Sequence, residues 1–245
     1  MRNSQREVEN RVAFLRRALA ESGAQGFVYG NSGGKDSVLV GILCKRACEN
    51  TVGVIMPCHA ARNFGVDMDD GRAVADRYDI ETRIVDLTAT RGTLLDTIGQ
   101  AALTDTALVN IAPRLRMTTL YAIAASENRL VVGTGNRSES YMGYFTKWGD
   151  GACDVNPIGD MTVTEVYALL RYLGAPQAIL DKAPSAGLFE GQTDEAEMGV
   201  TYAAIDHFLE TGKATEQDHA IISRNHTRSG HKRRLPLCYT DDLIL

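Results

Sequence analysis

Four short apolar runs interleaved with stretches of helical spacing constrain this 245-residue chain more than any other feature. The runs are Gly26-Phe27-Val28-Tyr29, Thr51-Val52-Gly53-Val54-Ile55-Met56, Glu81-Thr82-Arg83-Ile84-Val85-Asp86 and Arg129-Leu130-Val131-Val132-Gly133. Each has the length of a strand, and Pro57 terminates the second. Helical patterns fill the gaps at residues ~5–21, 36–48, 66–78, ~92–103 and ~114–127. Val8, Val12, Leu15 and Leu19 form the stripe of the first helix, and Gly23 is its stop. Strands alternating with helices predict an α/β fold, a parallel sheet with right-handed crossovers and helices on both faces. Ligands of such sheets sit beyond the carboxyl ends of the strands, where the unusual polar loops of this chain begin.

Residues 135–161 lose periodicity and are rich in Gly, Asp and aromatics, which marks a functional segment. Further helices are predicted over 162–173, ~194–210 and ~216–227, with a polar loop at 181–193. No repeat, low-complexity tract or linker breaks the chain, so a single domain over residues 1–245 is expected.

Apolar residues make up 44% and charged residues 23%, as in an ordinary soluble globular protein. A net charge of −5 argues against a nucleic-acid surface, although a local Lys and Arg cluster still allows an anionic ligand. No run approaches ~20 apolar residues, so no membrane span is expected. The polar start of the chain lacks the apolar segment of a secretory signal. Cys44, Cys48, Cys58, Cys153 and Cys238 are scattered without CxxC spacing, as fits reduced thiols in a cytoplasmic protein. The histidines show no metal-ligand pattern.

The strongest chemical signal follows the first strand: Ser32-Gly33-Gly34-Lys35-Asp36-Ser37. Paired glycines let the backbone approach a ligand closely. Successive free amides leading into a helix N-terminus make a site for phosphate oxygens. Ser32 and Ser37 add hydroxyl donors, and Asp36 can hold Mg²⁺ against the same phosphates. The plainer alternative is a glycine turn capped by Asp36. The spacing differs from the G-x-x-x-x-G-K-[ST] loop, and Lys35, in a variable slot, receives no role. Glu139, just past the fourth strand, supplies a second carboxylate for a metal on the triphosphate. Lys147 and the Lys232-Arg233-Arg234 run are candidate phosphate clamps, though such a run is commonly just a solvated tail.

The S-G-G-K-D-S loop resembles the signature of the N-type ATP pyrophosphatases, which activate a carboxyl or carbonyl oxygen by adenylation. Further segments narrow the resemblance. They are Gly133-Thr134-Gly135-Asn136-Arg137-Ser138-Glu139, residues 143–151 and Asp154-Val155-Asn156-Pro157. Arg114-Leu115-Arg116-Met117, Pro184-Ser185-Ala186-Gly187-Leu188 and residues 231–236 extend it. Together they resemble the NAD⁺ synthetase family, from the first helix to about Pro236.

That resemblance implies a Rossmann-like sheet of the adenine nucleotide alpha hydrolase type. It implies amidation of nicotinic acid adenine dinucleotide by ammonia, with ATP split to AMP and pyrophosphate through an acyl-adenylate. Gly30, Ser32, Gly33, Gly34, Asp36, Ser37, Thr134, Lys147, Ser185 and Lys232 become the expected ATP contacts, with Mg²⁺ at Asp36 and Glu139. The expected substrate contacts are Asn110, Arg114, Trp148, Asp154 and His231, with Trp148 stacking on the pyridine ring. Asp36, Lys147 and Asp150 are the catalytic candidates, Asp150 as the carboxylate that binds or deprotonates ammonium. The C-terminal segment is expected to close over ATP and keep water from the acyl-adenylate.

The resemblance also implies a homodimer whose substrate site is built at the subunit interface; the apolar helical stretches around 92–127 are candidates for that contact, and core helices would read the same. Glutamine-using relatives carry an extra amidotransferase domain, for which 245 residues leave no room, so free ammonia is the expected donor. Two departures stand out. The Lys that many relatives carry early in the helix after N-P is absent from Asp160-Met161-Thr162-Val163-Thr164-Glu165, and Thr106-Ala107-Leu108-Val109 is unusually apolar. Another adenylating enzyme of the superfamily, a nucleotide sensor and a structural subunit are the alternatives. The first would lack the 133–157 segments and the second the carboxylates.

Overall fold

The computed structural model of the chain describes residues 3–59, 65–182 and 193–238. Helix α1 (Ser4–Ser22) is capped by the Asn3 side chain, which accepts from the Arg6 amide, and closed by Gly23 at φ 70°. Then follow β1 (Gly26–Gly30), α2 (Lys35–Ala47), β2 (Thr51–Ile55), α3 (Val66–Arg77) and β3 (Glu81–Ile84). The next elements are α4 (Thr88–Ile98), α5 (Asp105–Glu127) and β4 (Arg129–Val132). The rest is helical: α6 (Arg137–Met142), α7 (Val163–Tyr172), α8 (Gln177–Asp181), α9 (Asp194–Met198), α10 (Tyr202–Thr211) and α11 (Glu216–Arg228).

All strand pairs are parallel, in the order β3-β2-β1-β4. The chain grows the sheet from β1 through β2 to β3, then returns to place β4 on the free side of β1. This reversal makes the carboxyl ends of β1 and β4 the switch point, where a crevice opens. The alternating α/β order read from the sequence is therefore the observed one.

Side chains alternate along β1 between two apolar layers. Phe27 and Tyr29 pack with Leu15 of α1, Leu39 and Leu43 of α2 and Leu170 of α7. Val28 joins Val52, Val54 and Val131 against Met117, Leu120 and Ala124 of α5. Burial on both faces is why these strands read as continuous apolar runs. Tyr29 fits only because its neighbours are glycines: a Cβ on Gly41 would stand 2.7 Å from the Tyr29 Cζ. A third cluster, including Met142, Val163, Met198, Tyr202, Ile205 and Ile222, binds α6, α7, α9, α10 and α11 together.

Three expectations need correction. The helix expected at ~114–127 starts at Asp105, because Thr104 caps it and Pro113 lies inside it. Proline costs that helix one donor but does not end it, since the turns before it carry their own bonds. The stretch expected as a helix at ~92–103 runs over Thr88–Ile98, followed by a short 3₁₀ turn at Gln100–Ala102. The helix expected at ~194–210 is broken at Gly199, whose φ of 72° closes α9 before Thr201 caps α10. Among the described residues no helix is long and apolar enough to cross a membrane.

Candidate active site

The loop after β1 is held from below by Asn31. Its side chain donates to Gly71 O at 3.0 Å and accepts from the Gly33 amide at 3.2 Å. Gly33 takes φ 67°, and a Cβ there would meet Asp70 Cβ at 2.9 Å, so the loop lies directly on α3. Ser32 Oγ and Ser37 Oγ are 3.1 Å apart, and Ser37 also donates to Gly34 O at 3.0 Å. Gly34, the residue before α2, brings no side-chain cap. The first-turn amides of α2 thus face the crevice with the positive helix end behind them.

β4 delivers the second half. Asn136 caps α6 through a reciprocal box: its Oδ1 accepts from the Glu139 amide while Glu139 Oε2 accepts from the Asn136 amide. That leaves the Asn136 Nδ2 to donate to Asp36 Oδ1 at 3.2 Å. One residue therefore sets both carboxylates. Lys35 completes the group, its ammonium 2.7 Å from Asp36 and 3.6 Å from Glu139. Burial, then the adjacent Asp36, push the Glu139 carboxyl well above the usual carboxylate range, with Lys35 acting against the rise. Burial works against the charge on Lys35, yet Asp36 and Glu139 outweigh it and hold its pKa above the ordinary value. One ammonium leaves the acidic pair short of positive charge.

A divalent cation fits that deficit. Among the described residues no group of three or more His, Cys, Asp and Glu side chains is arranged as a metal site. Mg²⁺, however, is commonly held by one or two carboxylates plus substrate phosphates, and Asp36 and Glu139 supply two beside the glycine loop after β1.

Residues 143–151 form the third wall. The Thr146 amide donates to Asp150 Oδ1 at 3.0 Å, and Thr146 O accepts from the Gly149 and Gly151 amides. Burial raises the Asp150 pKa, partly offset by the Thr146 amide, its own amide, the Thr146 hydroxyl and Lys232. Lys232 Nζ donates to Gly143 O at 2.9 Å and Phe145 O at 2.7 Å, and Lys147 Nζ donates to His231 O at 2.7 Å. The two lysines pin the C-terminal segment onto this loop, and burial lowers the Lys232 pKa.

These parts enclose a cavity of about 770 Å³. Gly30, Ser32, Gly34, Asp36 and Ser37 line it with Thr134, Glu139, Asn110, Asp150 and Lys232. Met56, Met117, Leu120 and Val132 give it an apolar end suited to a purine. Gly33, on the side of the loop that lies against α3, is not on the cavity wall. Arg114, Lys147, Trp148, Asp154 and His231 also lie off the cavity wall. Trp148 is 55% exposed at φ 64°, with the Lys147 ammonium 5.2 Å from its ring. Arg114 Nε donates to Lys147 O at 3.3 Å, and Asp154 accepts from Tyr121 Oη at 3.1 Å and the Val131 amide at 2.8 Å. Asn110 accepts from Thr146 Oγ1 at 2.5 Å. Ser185 lies outside the described residues.

Sequence reasoning missed Asn31, Asn136, Lys35, Arg116 and Lys182. Arg116 lines the cavity and donates to Met56 O at 2.9 Å, and burial lowers its pKa. Lys182 also lines it, 2.9 Å from Asp67 and 2.7 Å from Asp70. The N-x-x-E spacing of Asn136 and Glu139 was the one available signal, since it is the pattern of a capping box.

The family model described as NAD synthase matches residues 7–236. The NH(3)-dependent NAD(+) synthetase of Carboxydothermus hydrogenoformans is 46% identical over 238 residues, 96% of this chain and 97% of the relative. Two solved structures superpose closely. The NMN synthetase of Francisella tularensis has a TM-score of 0.93 at 38% identity, covering 98% of this chain and 99% of its own. The NH3-dependent NAD synthetase of Campylobacter jejuni has 0.82 at 29% identity, covering 98% and 100%.

Proposed function

The chain belongs to the NAD synthase family of ammonia-dependent ligases, and from that premise we propose that it amidates nicotinic acid adenine dinucleotide with ammonia, consuming ATP. The observation that carries this reading is the Asn136 bridge, which sets Asp36 and Glu139 beside the phosphate loop of Ser32–Ser37. ATP lies with its purine against Met56, Met117 and Leu120 and its phosphates on the loop. Asp36 and Glu139 would hold Mg²⁺, which when bound neutralises charge developing on the departing pyrophosphate. The nicotinate carboxylate attacks the α-phosphorus, pyrophosphate leaves, and ammonia then displaces AMP from the acyl-adenylate. No covalent enzyme intermediate is needed. The chain contributes alignment and charge stabilisation.

Asp150 is a buried carboxylate on the cavity wall and serves as the ammonium-binding group. Lys232 and Lys147 hold the C-terminal segment over the site, which keeps water from the acyl-adenylate. Arg114, Trp148 and Asp154 lie off the single-chain cavity, which supports a substrate site completed by a second copy of the chain.

Incubation with ATP, Mg²⁺, ammonium and nicotinic acid adenine dinucleotide should give NAD⁺ and AMP in equal amounts; no AMP would overturn the reading. A second reading rests on the TM-score of 0.93 to a protein titled an NMN synthetase. It takes nicotinic acid mononucleotide as the carboxylate substrate. A parallel reaction with the mononucleotide decides between them by kcat/KM.

A further inference from the structure

Lys35 has no part in the reading above, yet it is only 7% exposed and sits at the centre of the acidic site. Its ammonium lies 2.7 Å from Asp36 Oδ2 and 3.6 Å from Glu139 Oε1, with the Tyr202 ring centre 5.4 Å away. Asp194, which accepts from Tyr202 Oη at 3.0 Å, adds a further acidic group on the same cavity. These carboxylates repel one another strongly in a buried setting unless a cation stands between them. Lys35 arises from the first residue of α2, so the phosphate loop itself places the cation that satisfies them. A Lys suits this place better than an Arg would. Its compact charge on a flexible stem can leave without dismantling a planar, bidentate pair.

We infer that Lys35 is a positioning residue that holds Asp36 and Glu139 together before a divalent cation binds, and that the cation displaces its ammonium from their oxygens. This rests on the assignment of Asp36 and Glu139 as metal ligands. The ammonium and the metal compete for the same carboxylate oxygens, and two cations on one pair of carboxylates repel each other. Lys35 therefore weakens metal binding to the free enzyme, while keeping the acidic pair ordered for it.

The test is Mn²⁺ binding to the full chain without ATP, followed by electron paramagnetic resonance, in wild type, Lys35→Met and Glu139→Gln. Lys35→Met should bind Mn²⁺ about tenfold tighter, the scale of one charge-assisted contact removed from the competition. It should also melt earlier without metal and gain more from added Mn²⁺ than wild type does. The Mg²⁺ concentration for half-maximal activity should fall with it, apart from any change in kcat. Unchanged or weaker Mn²⁺ binding by Lys35→Met, with Glu139→Gln impaired, would overturn the role of Lys35 alone. Full binding by Glu139→Gln would overturn the metal assignment and this inference together. Should Lys35→Met fail to fold, Lys35→Gln, which keeps a neutral donor, is read by the same criteria.

Discussion

The Asn136 side-chain amide donates to the Asp36 carboxylate at 3.2 Å, joining residues 100 positions apart at the carboxyl ends of two adjacent parallel strands. Its carbonyl oxygen is occupied by the Glu139 amide, so the donor end must face Asp36. Asn136→Asp keeps the cap but turns that donor into a negative acceptor beside Asp36. It should lower kcat/KM for ATP about ten- to hundredfold, the worth of a hydrogen bond to a charged group. Steady-state kinetics at saturating carboxylate substrate checks this, with circular dichroism confirming that α6 is intact.

Asp36→Asn should abolish pyrophosphate release, with a loss of about a hundredfold or more, because a carboxylate proposed to hold Mg²⁺ on the leaving group is neutralised. A coupled pyrophosphate assay reads it. Full activity in that variant would remove Asp36 from the metal site.

Asp150→Asn separates the two half-reactions. The asparagine oxygen can still accept from the Thr146 amide, so the turn over 146–151 survives. ATP–pyrophosphate exchange should stay near the wild-type rate. Amide formation at limiting ammonium should fall about a hundredfold, in the range expected for loss of a proton-transfer group. Equal losses in both assays would assign Asp150 to positioning of ATP instead.

Glu127 ties α5 to two strands. It accepts from Arg129 Nε at 2.7 Å, pairs with the two terminal guanidinium nitrogens of Arg83, and has its pKa pulled down to about 2 by Arg83 first and Arg129 second. A lowered folded-state pKa stabilises the fold above the unfolded value of 4.5 and loses that contribution as pH falls towards about 2. The group is about a third exposed, so solvent screening limits the effect to about 1 kcal/mol. Glu127→Gln should melt a few degrees earlier at neutral pH, and the gap should close on acidification below about pH 4.5.

Tyr29 is fully buried, and no described group hydrogen-bonds its hydroxyl, which lies among the backbones of Gly41 and Gly53. Burying an unpaired hydroxyl costs free energy that the ring's packing has to offset. Tyr29→Phe should therefore raise stability by about 1 kcal/mol in urea unfolding, whereas Gly41→Ala should lower it by crowding the ring.

The order of strands and helices was legible because burial on both faces writes β1, β2 and β4 as apolar runs. The glycine loop after β1 was legible because paired glycines at a strand end have a local, steric reason. Gly33 needs its positive φ whatever lies elsewhere in the chain. Helix boundaries were less so. The helix expected at ~114–127 carries Pro113 inside it and begins at Asp105, and the break at Gly199 was invisible to apolar periodicity.

By itself the sequence determined an α/β chain with a glycine-rich loop after its first strand and carboxylates at strand ends, since propensity, period and turn chemistry are local. Only the tertiary structure decided which charges meet. It placed β4 beside β1, which brought Asn136 and Glu139 to Asp36, and it turned Lys35 from an occupant of a variable slot into the counter-ion of both carboxylates. Electrostatic partnership depends on distances between residues far apart in sequence and on exclusion of water, neither of which is a local property of the chain.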